Sequence, residues 1–171
     1  MAKQQPKPGS FEERWMHRQR ECGQEGLGLP DFLTCDDAIL PTRAAPFLSF
    51  DEAEKRPRIW EVFGPKDYWS EADKVRLARY RMIGSDGCGN PICLEDETGV
   101  VWMLDHEDHF KTRQFVNSNL LALGESLLAC MGEQNPSRLL GAIEKLDSPA
   151  VSMRTFWSEA AACFASLEDA E

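Results

Sequence analysis

Ala78-Arg-Tyr-Arg-Met-Ile-Gly-Ser-Asp-Gly-Cys-Gly-Asn-Pro-Ile-Cys-Leu-Glu-Asp-Glu-Thr-Gly-Val-Val-Trp-Met-Leu104 reads as three strands joined by two turns. Ala78, Tyr80 and Met82 alternate with Arg79 and Arg81 over Ala78–Ile83, the two-residue period of a half-buried strand. Gly84 to Pro91 is turn chemistry: glycine supplies positive φ, and Asn and Asp fold onto their own backbone. Pro91–Glu95 follows as a strand with Ile92 and Leu94 on one face, and Asp96 to Gly99 turns the chain. Val100–Leu104 is apolar on both faces, which predicts a central strand covered twice. The stretch predicts an antiparallel meander.

Downstream the period changes. Leu120, Leu123, Leu127, Leu128 and Met131 recur every three or four residues, the stripe of an amphipathic helix, with Asn117 or Ser118 as its N-cap. Asn135-Pro136 opens a second helix burying Leu139, Leu140, Ile143 and Leu146, since proline fits the first helical position. A third, near Arg154–Leu167, buries Phe156, Ala160, Phe164 and Leu167. Upstream, Met1–Ser10 is expected to be a disordered tail, Phe11–Cys22 a short amphipathic helix, and Gly26 to Pro30 a loop. Residues 31–46 read as irregular, Phe47–Phe50 and Ile59–Phe63 as strands, and Ser70 to Asp73 as a capped turn. Strands first and helices after predict an α+β fold: a central antiparallel sheet (meander about 78–104), flanking helices and a helical C-terminal third. Residues 11–171 read as one domain.

The 171 residues suffice for one core without staples, and no run approaches the ~18 apolar residues of a membrane span. The N-terminus lacks an apolar signal region, so a cytoplasmic setting is expected. Cys22, Cys35, Cys88, Cys93, Cys130 and Cys163 then default to reduced thiols. Net charge is −10. Such a field repels nucleic acid and anionic membranes and attracts basic partners, and no basic patch marks a direct nucleic-acid binder.

That charge is concentrated. Between Gly84 and Phe110 lie seven acids (Asp86, Glu95, Asp96, Glu97, Asp105, Glu107 and Asp108) and no Lys or Arg, leaving 22 acids against 19 bases elsewhere. Two readings stay open: a solvated rim, or an anionic face that docks a basic protein and steers its approach. Tyr68 and Trp69, after Gly64-Pro65, are candidate exposed anchors for the same partner. A zinc reading of Cys88, Cys93, His106 and His109 has loose spacing, because structural knuckles place their cysteines two to four residues apart. A calcium loop from Asp86 fails because Pro91 occupies the required glycine position. Cys88 with His106 as base lacks any second catalytic signature. No catalytic residue, metal or cofactor is expected.

The run Ile83-Gly-Ser-Asp-Gly-Cys-Gly-Asn-Pro-Ile-Cys-Leu94, then Thr98-Gly-Val-Val101, Leu104-Asp-His106 and Phe115-Val-Asn-Ser118 resembles the SUKH superfamily. This immunity-protein group also contains the yeast Smi/Knr cell-wall regulators. Gly28-Leu-Pro30 is similar to its early Gly-Leu-Pro, and Phe156-Trp-Ser158 to closing segments of one branch. The resemblance implies a non-enzymatic α+β domain that neutralises a toxin domain, commonly a nuclease or deaminase. The acidic residues would then occlude a basic cleft. A regulatory scaffold of the yeast type is the alternative. The oligomeric state is not readable from these residues.

Overall fold

The computed structural model describes residues 56–86, 88–133, 135–152 and 154–168, together with Arg14 and His17. The expectations for 1–10, 26–30, 31–46 and Phe47–Phe50 lie outside these residues, as do those for the Phe164 and Leu167 side chains. Of the Phe11–Cys22 helix, Arg14 and His17 are described and helical.

Four antiparallel strands, β1 (Tyr80–Ser85), β2 (Pro91–Glu95), β3 (Val101–Leu104) and β4 (Arg113–Asn117), form one sheet in chain order. The α+β architecture is that predicted, with the meander extended by β4. Met82 pairs with Cys93, Cys93 with Trp102 and Trp102 with Phe115, and Gly99 takes the positive φ (70°) that the β2–β3 turn requires.

Helices cover both faces. On one side lie α1 (Ile59–Val62) and α2 (Glu71–Leu77), on the other α3 (Leu120–Gly132), α4 (Pro136–Leu146) and α5 (Phe156–Glu168). Ile92, Leu94, Val101 and Val116 join Leu123, Leu127, Ile143 and Trp157 in the larger core. Tyr80, Cys93 and Leu104 join Ile59, Trp69, Leu77 and Phe110 in the smaller. Alternation along β2 feeds both cores, so all five of its residues are buried. The strand covered twice is therefore β2. On β3, Trp102 and Met103 are half-buried: on the α1–α2 side the Trp102 ring is covered by Arg113, 4.1 Å from its centroid, and on the other side Met103 lines an open cleft.

Ile59–Val62 is helical, with Phe63 leaving it in extended backbone, where a strand over Ile59–Phe63 is predicted. The Glu61 carboxylate accepts the Arg58 N–H at 2.7 Å, which satisfies a donor left free at a helix N-terminus. Ser70 does more than cap a turn: its Oγ accepts the Asp73 N–H at 3.1 Å and opens α2. Asn135 caps α4 by accepting from Arg138 N, with Pro136 at the first position as expected. Leu139 and Ile143 are buried, whereas Leu146 is 46% exposed because the chain leaves α4 there and Asp147 turns inward instead.

The cap of α3 is Asn119, one or two residues beyond the predicted Asn117 or Ser118. Asn119 accepts the Ala122 N–H, and Asn117 and Ser118 serve a buried network. Asn117 Nδ2 donates to Ser126 Oγ (3.1 Å) and Asp147 Oδ2 (3.0 Å), while its Oδ1 accepts from Trp157 Nε1 (3.0 Å). Ser118 donates its backbone N–H and its hydroxyl to Asp147, both at 2.7 Å. One asparagine thus ties β4 to α3, α5 and the end of α4.

Candidate functional site

The acidic stretch comes apart in space. Because β2 and β3 are antiparallel, the Asp96–Gly99 turn lies at one end of the sheet. The β1–β2 turn and the 105–112 loop lie at the other. A four-residue strand spans roughly 13 Å, so Glu95, Asp96 and Glu97 are well separated from Asp86, Asp105, Glu107 and Asp108.

The first end is internally neutralised. Glu95, expected on the surface, is only 6% exposed. It accepts from the Thr98 hydroxyl (2.6 Å) and Trp102 Nε1 (3.3 Å), and lies 3.3 Å from Arg113 and 3.5 Å from Arg79. Asp96 pairs with Arg81 (2.8 Å) and Arg58 (3.0 Å). These arginines come from β1 (Arg81), the turn before it (Arg79), β4 (Arg113) and the residue that caps α1 (Arg58), outside the linear window. Glu97 stays exposed at the turn.

Burial pushes the Glu95 carboxyl up, but the Thr98 and Trp102 hydrogen bonds with the Arg79 and Arg113 charges win, and its pKa falls below the usual 4.5. A carboxylate with a depressed folded pKa contributes stability that is present above the unfolded value and lost as pH falls through the folded one. The thermal midpoint is therefore expected to drop more steeply below pH 4.5 in the native protein than in Glu95→Gln. Differential scanning calorimetry across that range measures it; parallel profiles would show that Glu95 carries none of the acid sensitivity.

At the second end most carboxylates organise loops. Asp86 Oδ1 accepts from Cys88 N (2.9 Å) and Asn90 N (2.7 Å), and its Oδ2 accepts from Asn90 Nδ2 (2.9 Å). Asp105 Oδ1 accepts from Glu107 N. Asp108 accepts from the backbones of Lys111 and Thr112; its pKa is lowered chiefly by the Thr112 side chain, with these backbone bonds contributing less. Glu107 is exposed.

His109 and Phe110 hold consecutive positive φ angles, 64° and 59°, a conformation that costs non-glycine residues energy unless their surroundings enforce it. Arg76 enforces it by donating to both carbonyls, at 3.0 and 2.5 Å. Asp73 anchors that arginine, and its carboxyl is drawn down to about 2 by hydrogen bonds from Ser70 and Arg76. The His109 ring stacks on Trp69, centroids 5.2 Å apart, with Nδ1 3.1 Å from the Tyr68 hydroxyl. Trp69 is 5% exposed and donates to the Phe63 carbonyl. It is a core residue, which corrects its reading as an exposed anchor. Tyr68, 55% exposed, keeps that role open.

Beside this loop opens a cleft of about 680 Å³, lined from the β1–β2 turn by Cys88 and Asn90, from the 105–112 loop by Asp105, His106 and Glu107, and from α5 and its approach by Arg154 and Glu159. Arg154 and Glu159 gave no sequence signal, because only the docking of α5 brings them here. Asn90 was readable only as a turn residue. The four residues of the zinc reading are not assembled: Cys93 sits in the smaller core with its thiol pushed up by burial, and His109 lies between Tyr68 and Trp69. Cys88 and His106 line the cleft, and among the described residues no group of three His, Cys, Asp or Glu is placed to hold a metal. Nor, among them, is any helix long and apolar enough to cross a membrane.

No curated protein and no solved structure matches the chain significantly. A family model does: that of the SUKH-4 immunity proteins, over residues 13–163. The meander, its Gly-rich turn and the Asn117-Ser118 network lie within the match, and this chain belongs to the SUKH-4 immunity protein family of the SUKH superfamily.

Proposed function

We propose that this protein neutralises a toxin domain by docking the loop end of its sheet into a basic cleft of that toxin, a nuclease or deaminase. Family membership supports the immunity role. The observation that carries the choice of face is the separation of the acidic stretch. Glu95 and Asp96 are consumed by Arg79, Arg113, Arg58 and Arg81, whereas Asp105 and Glu107 line an open cleft. Tyr68, exposed and braced against His109, supplies an aromatic contact next to them. Asp86 and Asp108 shape the loops that present these groups. A toxin that cuts or edits nucleic acid gathers positive charge around its substrate channel, so a carboxylate-bearing loop end blocks the phosphate path without chemistry of its own. In this reading residues 11–171 form one domain acting in the cytoplasm, without cofactor, catalysis or direct nucleic-acid contact.

The partner to test is a toxin domain, to be sought among the genes neighbouring this one. Asp105→Lys with Glu107→Lys is expected to weaken binding about 100-fold or more, mostly through slower association at low salt. It should also restore toxicity on co-expression. Glu97→Lys, at the opposite end, is expected to change affinity by less than about threefold. Isothermal titration calorimetry and growth assays read both. The reverse pattern would move the interface to the Glu95–Glu97 end.

A further inference from the structure

The cleft holds a histidine whose tautomer is dictated by its neighbours. His106 donates its backbone N–H to Asn90 Oδ1 at 3.1 Å, and its ring Nδ1 lies 2.7 Å from the same oxygen. Two constraints orient that amide. Its Nδ2 faces Asp86 Oδ2 at 2.9 Å, and an ionised carboxylate only accepts. Its other end meets a backbone N–H, which only donates. The atom facing the imidazole is therefore oxygen, and Nδ1 must carry the hydrogen. In the neutral ring Nε2 is then a bare acceptor.

From this placement we infer that the cleft is a subsite for an arginine guanidinium of the partner, with His106 Nε2 accepting one N–H and Glu107 and Asp105 supplying the charge. The Asp86–Asn90 pair positions the ring. This deepens the docking reading above and rests on it. The charge balance agrees: Asp105, Glu107 and Glu159 line the cleft. Of its two arginines, Arg113 is committed to Trp102, Tyr80 and Glu95, which leaves Arg154 as the opposing cation. A guanidinium suits the site better than an ammonium, because its planar fork serves a carboxylate and a ring nitrogen together.

The test is nuclear magnetic resonance on the full chain, titrated with N-acetyl-arginine amide and, for comparison, N-acetyl-lysine amide. Before addition, long-range proton–nitrogen correlation is expected to show His106 in its Nδ1–H form. Saturable binding of the arginine probe on the order of 1–10 mM should then move the His106 Nε2 resonance and the Glu107 amide. The lysine probe should bind more weakly. Glu107→Gln, an exposed change, is expected to weaken binding about tenfold, and Glu97→Gln to leave it unchanged. Asn90→Ala should convert His106 to a tautomer mixture while weakening the probe, a signature that a merely structural role would not produce.

An Nε2–H tautomer in the native protein, no saturation, or binding indifferent to Glu107→Gln would overturn the subsite. If the probe fails while Asp105→Lys with Glu107→Lys still abolishes toxin binding, the docking face stands and the guanidinium subsite falls. If the probe binds as expected while that double change leaves toxin binding intact, the cleft still binds a guanidinium, but the docking face falls and with it the assignment of the site to the toxin.

Discussion

Trp157→Ala is expected to cost about 4 kcal/mol of unfolding free energy, within the range for removing a fully buried large aromatic. Trp157 is 0% exposed and is the largest fully buried side chain among the described residues. It packs edge-to-face on Phe156 at 5.2 Å and belongs to the core between the sheet and α3, α4 and α5. Its removal opens a cavity that a strand on one side and helices on the other are poorly placed to close. Trp157→Phe separates the two contributions. It keeps most of the apolar volume but deletes the indole N–H, leaving Asn117 Oδ1 without its donor, and should cost about 1–2 kcal/mol. Urea denaturation monitored by circular dichroism measures both. A loss below about 1 kcal/mol for the alanine variant would mean that α5 is not docked against β4 as described.

Asn117→Leu is the second large effect, expected at about 3 kcal/mol or more. The side chains are nearly isosteric, so the cost is electrostatic rather than steric. Asn117 is 0% exposed and uses both ends of its amide. Leucine would strand the Trp157 N–H and withdraw a donor from Asp147 and another from Ser126. A buried carboxylate that loses donors is the dearest of these, although Ser118 still serves Asp147. Since the two positions share a hydrogen bond, Asn117→Leu and Trp157→Phe together should fall short of the sum of their separate costs by about 1 kcal/mol. Strict additivity in a double-mutant cycle would show that the bond contributes nothing to stability.

Much of the fold could be read from local pattern. Strands β2 and β3 and helix α4 follow from alternation, turn residues and the Asn135-Pro136 start, all of which act within a few residues. Strand β4 is not legible because Arg113-Gln-Phe-Val-Asn117 is short and its alternation is broken by its own bulge: Val116 is the extra residue opposite Val101 and Trp102, and both Val116 and Asn117 are buried. Helix α1 was misread because four residues do not distinguish a period of 2 from one of 3.6. The α3 cap falls at Asn119 rather than Asn117 or Ser118 because all three residues share one chemistry, and only the approach of Asp147 and Trp157 distinguishes the network residues from the cap.

The acidic stretch marks the boundary between the two levels. Sequence alone determined that seven carboxylates lie between Gly84 and Phe110, that turns interrupt them, and that these motifs mark the SUKH superfamily. Those properties are local: they depend on side-chain type and on spacing along the chain. Which carboxylates remain available to a partner was decided by tertiary structure. Strand pairing sent three of them to one end and four to the other, and brought Arg81 and Arg113 from neighbouring strands, Arg79 from the turn before β1 and Arg58 from the start of α1 against Glu95 and Asp96. Electrostatic interaction depends on distance through space, so a charge count along the chain cannot see a counter-ion delivered by the next strand.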